Sequence, residues 1–525
     1  MRTIPLTLTL TGLMAAATAA SANPPHSITL TPIGTYASGV FDQGAAEIVA
    51  HDPKTQRLFV VNANDATVDV LNITDPTDPT KIGTIDVTAF GTVANSVAIH
   101  GTLVAVAVQN EEKTEPGRVV FFDTDLNFLA SVEVGAQPDM LAFTPNGRHV
   151  VVANEGEPND DYTIDPEGSV SIIDLRRARG GRELPLSVRT ATCTRFNDVV
   201  LDPSIRIFGP GATVAQDLEP EYITLSDDSR TAWVTCQEAN AIAIIDIRSA
   251  EVLDLVGLGF KDHSLPGNGL DASDRDGAIN IANWPVLGMY LPDAIASYRV
   301  GAHTFLVTAN EGDTRDYDGF SEEARMGSLP LDPVIFPDAA VLQEDANLGR
   351  LLTSTVMGLN PVTGYYEELY SVGARSFSIW TATGRQVYDS GDEFEMITAA
   401  MFPDGFNASN TNNNFDNRSD DKGPEPEGVV IGRLYGRTYA FIGLERVGGV
   451  MVYDITNPFA AFFVDYVNLR DFATDVESPE AGDLGPEGLV FIEAKDSPNG
   501  KPLLVTGNEV SGTTTVFEIN RIVGR

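Results

Sequence analysis

Seven times along this chain a short multi-strand unit recurs, and that repetition limits the fold more than any other feature. An acidic residue opens an apolar strand, a second strand ends in an amide followed by a carboxylate, and a third strand closes on an acid. The fourth copy is the clearest: LEPEYITL (218–225), the turn SDDSR, TAWVTCQEAN (231–240) and AIAIIDI (241–247). The others occupy 46–73, 95–124, 138–175, 292–313, 423–455 and 485–519. Period-two alternation rich in β-branched and aromatic residues, punctuated by Gly, Pro, Asn and Asp, specifies strands. A repeated unit of three or four strands cannot bury its faces alone and stacks against its copies. The sequence therefore predicts an all-β fold, a seven-bladed β-propeller with long inter-strand insertions, as one domain over 23–525. The strand SITLTPIGTYA (27–37) is expected to complete the last blade, because closure from both termini removes exposed edges.

The same repeat locates the chemistry. The innermost strand of a blade lines the central channel and its partner returns antiparallel, so the acid opening the first strand and the carboxylate ending the second meet at one rim. The first position holds Glu47, Asp139, Glu221, Asp293, Glu427 and Glu487, with Ser96 in the second copy. The second position holds Glu111, Glu155, Glu238, Glu311, Glu445 and Glu509. Carboxylates at such density repel one another unless they are protonated or bridged by cations, and an oxygen-rich shell suits Ca²⁺. A plainer role is also open to each acid, that of accepting backbone N–H bonds between blades. Further acids flank the rim: Asp313, Asp316 and Asp318 after Glu311, and Asp420, Asp421 and Glu425 before Glu427. Asp271, Asp274 and Asp276 do not fit an EF-hand register but offer a looser calcium loop.

Residues 1–22 read as a signal peptide: Arg2, an apolar run from Ile4 to Ala20, and a small-residue cleavage site ending at Ala22. No later stretch approaches the ~20 apolar residues of a membrane span. A freely soluble, monomeric product in the periplasm or outside the cell is expected. With 74 acidic against 34 basic residues the chain carries a net charge of −40. Nucleic acid and anionic membrane surfaces are poor partners for it, whereas metal cations are good ones.

Seven blades leave roughly 70 residues each, above the ~40–45 of a compact propeller repeat. The excess falls near 176–217, 248–291, 314–372 and 389–422, segments expected to pack as covers over one propeller face, with a short helix around Ser321–Met326. Cys193 and Cys236 have no metal-ligand spacing. A disulfide and two separate buried thiols are both open to them.

No GxSxG elbow, HExxH helix, Walker loop or dinucleotide fingerprint occurs, and six histidines lack zinc spacing. Any catalysis would rest on metal ions, with cationic side chains holding a phosphate ester. Arg446, Arg375, Arg315, His263 and Lys261 are the candidates, each equally suited to a structural ion pair. Two function classes follow: a calcium-dependent phosphoester hydrolase, favoured by the Arg that stands beside the acids in GLERVGG and TANEGDTRDY, and, as the alternative, a non-catalytic calcium-binding surface or matrix protein that holds ions, mineral or glycan.

Long strings such as ANEGDTRDYDGFSEEAR (309–325), DDKGPEPEGV (420–429), FIGLERVGGVMVYDITNP (441–458) and NEVSGTTTV (508–516) resemble the choice-of-anchor I family, over essentially the whole mature chain. The resemblance implies a secreted or surface-attached protein associated with calcium. Some bacterial members of that family look like phosphoesterases, and many bear an added anchor or lamin-tail-like domain.

Overall fold

The computed structural model describes residues 27–175 and 184–522; the leader predicted at 1–22 lies outside them. Seven four-stranded antiparallel sheets are present among the described residues. Their first strands are Val49–Asp52, Val93–His100, Pro138–Phe143, Pro220–Leu225, Ile295–Val300, Pro426–Leu434 and Pro486–Ile492. Each first strand touches the next, and the first touches the seventh, so the sheets form the blades of a propeller closed into a ring. The seventh blade borrows its outer strand from the amino terminus: Ser27–Ala37 pairs antiparallel with Thr513–Ile522, Ser27 opposite Ile522 and Ala37 opposite Thr513.

Burial follows position in the blade. Middle strands are covered on both faces by neighbouring blades and so read as unbroken apolar runs. In Leu103–Gln109, Val104, Ala105, Val106, Ala107 and Val108 are all fully buried. Outer strands are mostly exposed, as Thr80–Asp86 shows, with Ile85 its one buried residue. Apolar clusters accordingly lie between blades: Phe59, Val68 and Val70 of the first pack with Val97, Val106 and Val120 of the second.

The insertions build a cover of their own. Phe260–Asp262, Leu287–Met289, Tyr370–Ser371, Leu352–Ser354 and Glu323–Arg325 form a five-stranded sheet, over an apolar cluster that includes Leu270, Val286, Met326, Phe336 and Leu351. The helix expected around Ser321–Met326 is not formed. Glu323–Arg325 instead pairs as a strand with Leu352–Ser354, and the buried Glu322 carboxylate binds Arg206 and Ser354. Tertiary pairing outweighs local helix propensity here. The helix of this region that adjoins the blades is Glu393–Met401, in the last insertion.

Cys193 and Cys236 are both buried, free thiols. Burial pushes Cys193 up to about 12 and raises Cys236 as well, so neither forms a reactive thiolate at neutral pH. Ellman's reagent should label no thiol in the native protein and two per chain in guanidinium. Native labelling, or no labelling after unfolding, would contradict the free buried pair.

Candidate metal centre

A local device repeated in five blades aims the first-position acids. Each of Asp139, Glu221, Asp293, Glu427 and Glu487 follows a proline, and the residue before that proline has a positive φ: Gln137 (45°), Glu219 (40°), Leu291 (41°), Glu425 (51°) and Gly485 (67°). Proline bars its predecessor from the right-handed helical region. A left-handed conformation at a non-glycine residue costs about 1–3 kcal/mol, and such strain tends to sit at functional sites. In four of these blades the register then slips: between Pro138 and Leu141, Pro220 and Ile223, Pro426 and Val429, and Pro486 and Leu489, three steps on the inner strand face two on its partner. The acid lies inside each bulge, which turns its side chain toward the axis. Neighbouring inner strands also approach closely; a Cβ on Gly428 would lie 2.0 Å from the Glu487 carbonyl oxygen.

The amide and carboxylate ending the second strand divide their labour. Asn154 Nδ2 donates to Ser169 and Ser171 of the third strand, and Asn310 Nδ2 to Ser376 and Ser378. The amide thus locks the blade while the next residue turns to the channel. Its backbone is tied to the left-handed residue just before the first strand: Glu155 N donates to Gln137 O, Glu445 N to Glu425 O, and Glu509 N to Gly485 O, at 2.8–2.9 Å.

These side chains converge on one cavity of about 350 Å³. It is lined by the first-strand acids Asp139, Glu221, Asp293, Glu427 and Glu487 and the second-strand acids Glu155, Glu311, Glu445 and Glu509, together with Asp313. Glu47 adjoins it, its carboxylate lying within 4.8 Å of those of Glu487 and Glu509. Asp293, Glu311 and Glu427 form a second such trio, and Glu311, Glu425 and Glu445 a third. Two predicted positions fall elsewhere. Glu238 is buried next to the rim acid Glu221 and beside Glu219 and Arg315 but does not line the cavity, and Glu111 is exposed.

Electrostatics in the cavity are dominated by burial and like charge. Burial first and Glu157 second push Asp139 up to about 7. Burial, then neighbouring carboxylates, raise Glu221, Asp293, Glu427 and Glu487 well above the usual range. Buried oxygens Oε2 of Glu221, Glu427 and Glu487 have no hydrogen-bond partner among the described residues.

Among the predicted cations only Arg446 reaches the cavity. It binds Glu425 at 3.1 Å, Glu445 at 3.0 Å and Asn410 at 3.0 Å. The other four are structural. Arg315, fully buried, pairs with Asp217 at 2.9 Å and Glu219 at 2.7 Å. Arg375 binds Glu395 and the carbonyls of Asp271, Ser419 and Asp421. Lys261 donates to the carbonyls of Ala374 and Gly391. His263 is buried with Nδ1 2.6 Å from Asn268 O, and burial holds it well below the usual imidazole range. Of the flanking acids, Asp420 is drawn off by Arg325 and Arg350, and Asp421 by Arg418.

The residue that sequence reasoning missed is Lys422. Its ammonium sits 2.7 Å from Glu311 and 3.1 Å from Glu425, inside the third trio. Burial works to raise Glu425, yet Lys422, Arg418 and Arg446 outweigh it and pull its carboxyl down to about 2. Also missed were Gln137, which donates to Glu155 and Glu157 at 2.6 Å, and Gln237, which donates to Glu311 at 3.0 Å. A readable signal existed: Gln137, Glu219 and Glu425 each precede the recurring proline-acid pair.

Fold and site together define a β-propeller with a carboxylate-walled cavity at the channel. The chain matches the choice-of-anchor I domain over residues 47–458, and it belongs to that family. It is 29% identical over 278 residues to the mesenchyme-specific cell surface glycoprotein of Strongylocentrotus purpuratus, a match covering 46% of this chain and 35% of that protein. It is 31% identical over 190 residues to Gigasin-3a of Magallana gigas, covering 34% of this chain and 66% of that one. The chain thus spans less than two thirds of the length of either relative. Among solved structures, Kuenenia stuttgartiensis hydrazine synthase is similar at 14% identity and a TM-score of 0.45, with 93% of this chain and 99% of that chain covered. Streptogramin B lyase is similar at 9% identity and a TM-score of 0.43, covering 94% and 98%. No described helix is long and apolar enough to cross a membrane.

Proposed function

We propose that this protein binds divalent cations, Ca²⁺ foremost, in the carboxylate cavity of its propeller, and acts outside the cytoplasm as a calcium-binding surface or secreted protein. One observation carries the reading. Among the described residues, Glu47, Glu487 and Glu509 bring oxygens within 4.8 Å of one another without an ion-pair partner, and the buried Glu487 Oε2 accepts no hydrogen bond. Such a group is unfavourable with all three acids ionised and unbridged. Donors that are oxygen alone suit a hard cation. The third trio differs, since Lys422 already supplies its positive charge. The surface location accords with the family and with the printed name of the sea-urchin relative.

A second reading, calcium-dependent phosphoester hydrolysis, is favoured by Arg446, whose side chain is 27% exposed and lines the cavity. Bound cations would have to offset ten lining carboxylates before an anionic ester could enter. The binding reading needs no such step and ranks first.

Elemental analysis of the purified chain, paired with p-nitrophenyl phosphate turnover with and without chelator, tests both. Stoichiometric calcium without turnover on this ester, a diester or phytate supports binding alone. Chelator-sensitive turnover that Arg446→Ala lowers more than it lowers metal content supports the hydrolase. Glu221→Gln with Glu427→Gln should remove most of the calcium; full retention would defeat the site as drawn.

A further inference from the structure

We propose that Lys422 is a built-in cation that fills one of the three carboxylate trios of the channel cavity and so confines divalent ions to the other two. The proposal rests on the channel reading and adds what sets the number and place of its ions.

The trio of Glu311, Glu425 and Glu445 differs from its neighbours oxygen by oxygen. Glu311 accepts from Lys422 Nζ at 2.7 Å on Oε1 and from Gln237 Nε2 at 3.0 Å on Oε2. Glu425 meets Arg418 at 2.8 Å on Oε1, and Arg446 and Lys422, each at 3.1 Å, on Oε2. Glu445 accepts from Asn410 Nδ2 at 2.9 Å on Oε1 and meets Arg446 at 3.0 Å on Oε2. Every carboxylate oxygen of this trio thus has a nitrogen donor, and its acids are offset by Lys422, Arg418 and Arg446. In the other two trios the pattern reverses. Oε2 of Glu487 in the first and of Glu427 in the second is buried without a partner among the described residues. Glu221, 7% exposed, lines the same cavity with its Oε2 in the same condition.

Lys422 stands where an ion would. Its Nζ lies 2.7 Å from Glu311, 3.1 Å from Glu425 and 3.9 Å from Asp313, three acids around one charge. An ammonium is a compact point charge with three donors, and so meets several carboxylates at once, as a hard ion does. Unlike an ion, it cannot dissociate. Its loop is held on either side: Arg375 Nη2 donates to the carbonyls of Ser419 and Asp421, and Gly423 N donates to Arg418 O at 2.9 Å. Gly423 has a φ of 69°, and a Cβ there would lie 3.0 Å from Arg375 Cδ, so the turn that aims Lys422 calls for glycine. The ordering cost of the ammonium is met in folding, an advantage that no free ion competing for the same oxygens has.

The test is a calcium count by equilibrium dialysis and elemental analysis on the full chain. Lys422→Ala should hold one calcium equivalent more than the wild type, because Glu311, Glu425 and Asp313 then surround a vacated cation position. Calcium should also raise the melting temperature of this variant by more than it raises that of the wild type. A lysine of merely structural use would lower stability on removal without any gain in bound calcium. If Lys422→Ala does not fold even in calcium, two other variants decide. Glu445→Gln, in the filled trio, should keep the wild-type count, whereas Glu509→Gln, in the first trio, should lose one equivalent. Equal losses in the two, or a Lys422→Ala that holds no more calcium than a calcium-bearing wild type, would overturn the proposal and leave the channel reading standing. A wild type without calcium beside a Lys422→Ala that binds one equivalent would do the opposite, and calcium in neither would defeat both.

Discussion

Chelator-treated protein should lose stability as the pH rises from 5 to 8, and calcium should reverse that trend. The sign follows from the raised carboxyls. Burial and then the Glu157 carboxylate lift Asp139 to about 7. Unfolded, its carboxyl returns to the ordinary range near 4. Between those limits the folded chain binds more protons than the unfolded one, so stability falls with rising pH. Each unit of upward shift corresponds to about 1.4 kcal/mol lost once the folded-state value is passed. Calcium requires the ionised carboxylates, so its affinity grows over the same window. A hundredfold excess over Kd adds about 2.7 kcal/mol. Thermal melts at pH 5, 6, 7 and 8, with EGTA and with calcium, would show two curves that diverge as pH rises. Parallel curves would refute the coupling of proton and metal in the cavity.

Arg315→Ala should be among the most destabilising single changes in this chain. It strands Asp217 and Glu219, 1% exposed each, without their buried guanidinium. Breaking a buried ion pair from one side costs about 3–5 kcal/mol. Replacing Arg315, Asp217 and Glu219 together by apolar residues should recover much of the loss, because no charge is then left unpaired. Urea titration reads both, with Arg385→Ala at an exposed position as the control. A change below about 1 kcal/mol for Arg315→Ala would show that water reaches the pair.

The ring of acids was legible because strand period and blade topology place both positions at one rim whatever the rest of the chain does. Asp139, Glu155, Glu221, Asp293, Glu311, Glu427, Glu445, Glu487 and Glu509 needed only an inner strand and its return. Which cations reach the cavity was not legible. Arg315, Arg375 and Lys261 sit in or beside the insertions, whose paths depend on pairings more than 100 residues apart, such as Lys261 with Ala374. Arg446 was readable because it adjoins a rim acid in sequence. Lys422 reaches the site through the left-handed turn ending at Glu425, a backbone state that the proline at 426 signals but residue type alone does not. The helix expected at Ser321–Met326 failed for the related reason that its strand partner, Leu352–Ser354, lies far along the chain.

The strand that closes the ring also sets an order of events. Thr35 and Thr515 hydroxyls meet at 2.9 Å across 480 residues, so the seventh blade cannot be completed until Thr513–Ile522 is available to pair with Ser27–Ala37. Contacts of such separation form late, since the loop they close must first be ordered. Glu47 belongs to the first blade, and Glu487 and Glu509 to the seventh. This trio therefore straddles the seam and exists only in a chain whose two ends have met. A chain still being made has no such trio to offer a cation. An ion held there would act as a latch on the finished circle, rewarding assembly only after the circle is whole.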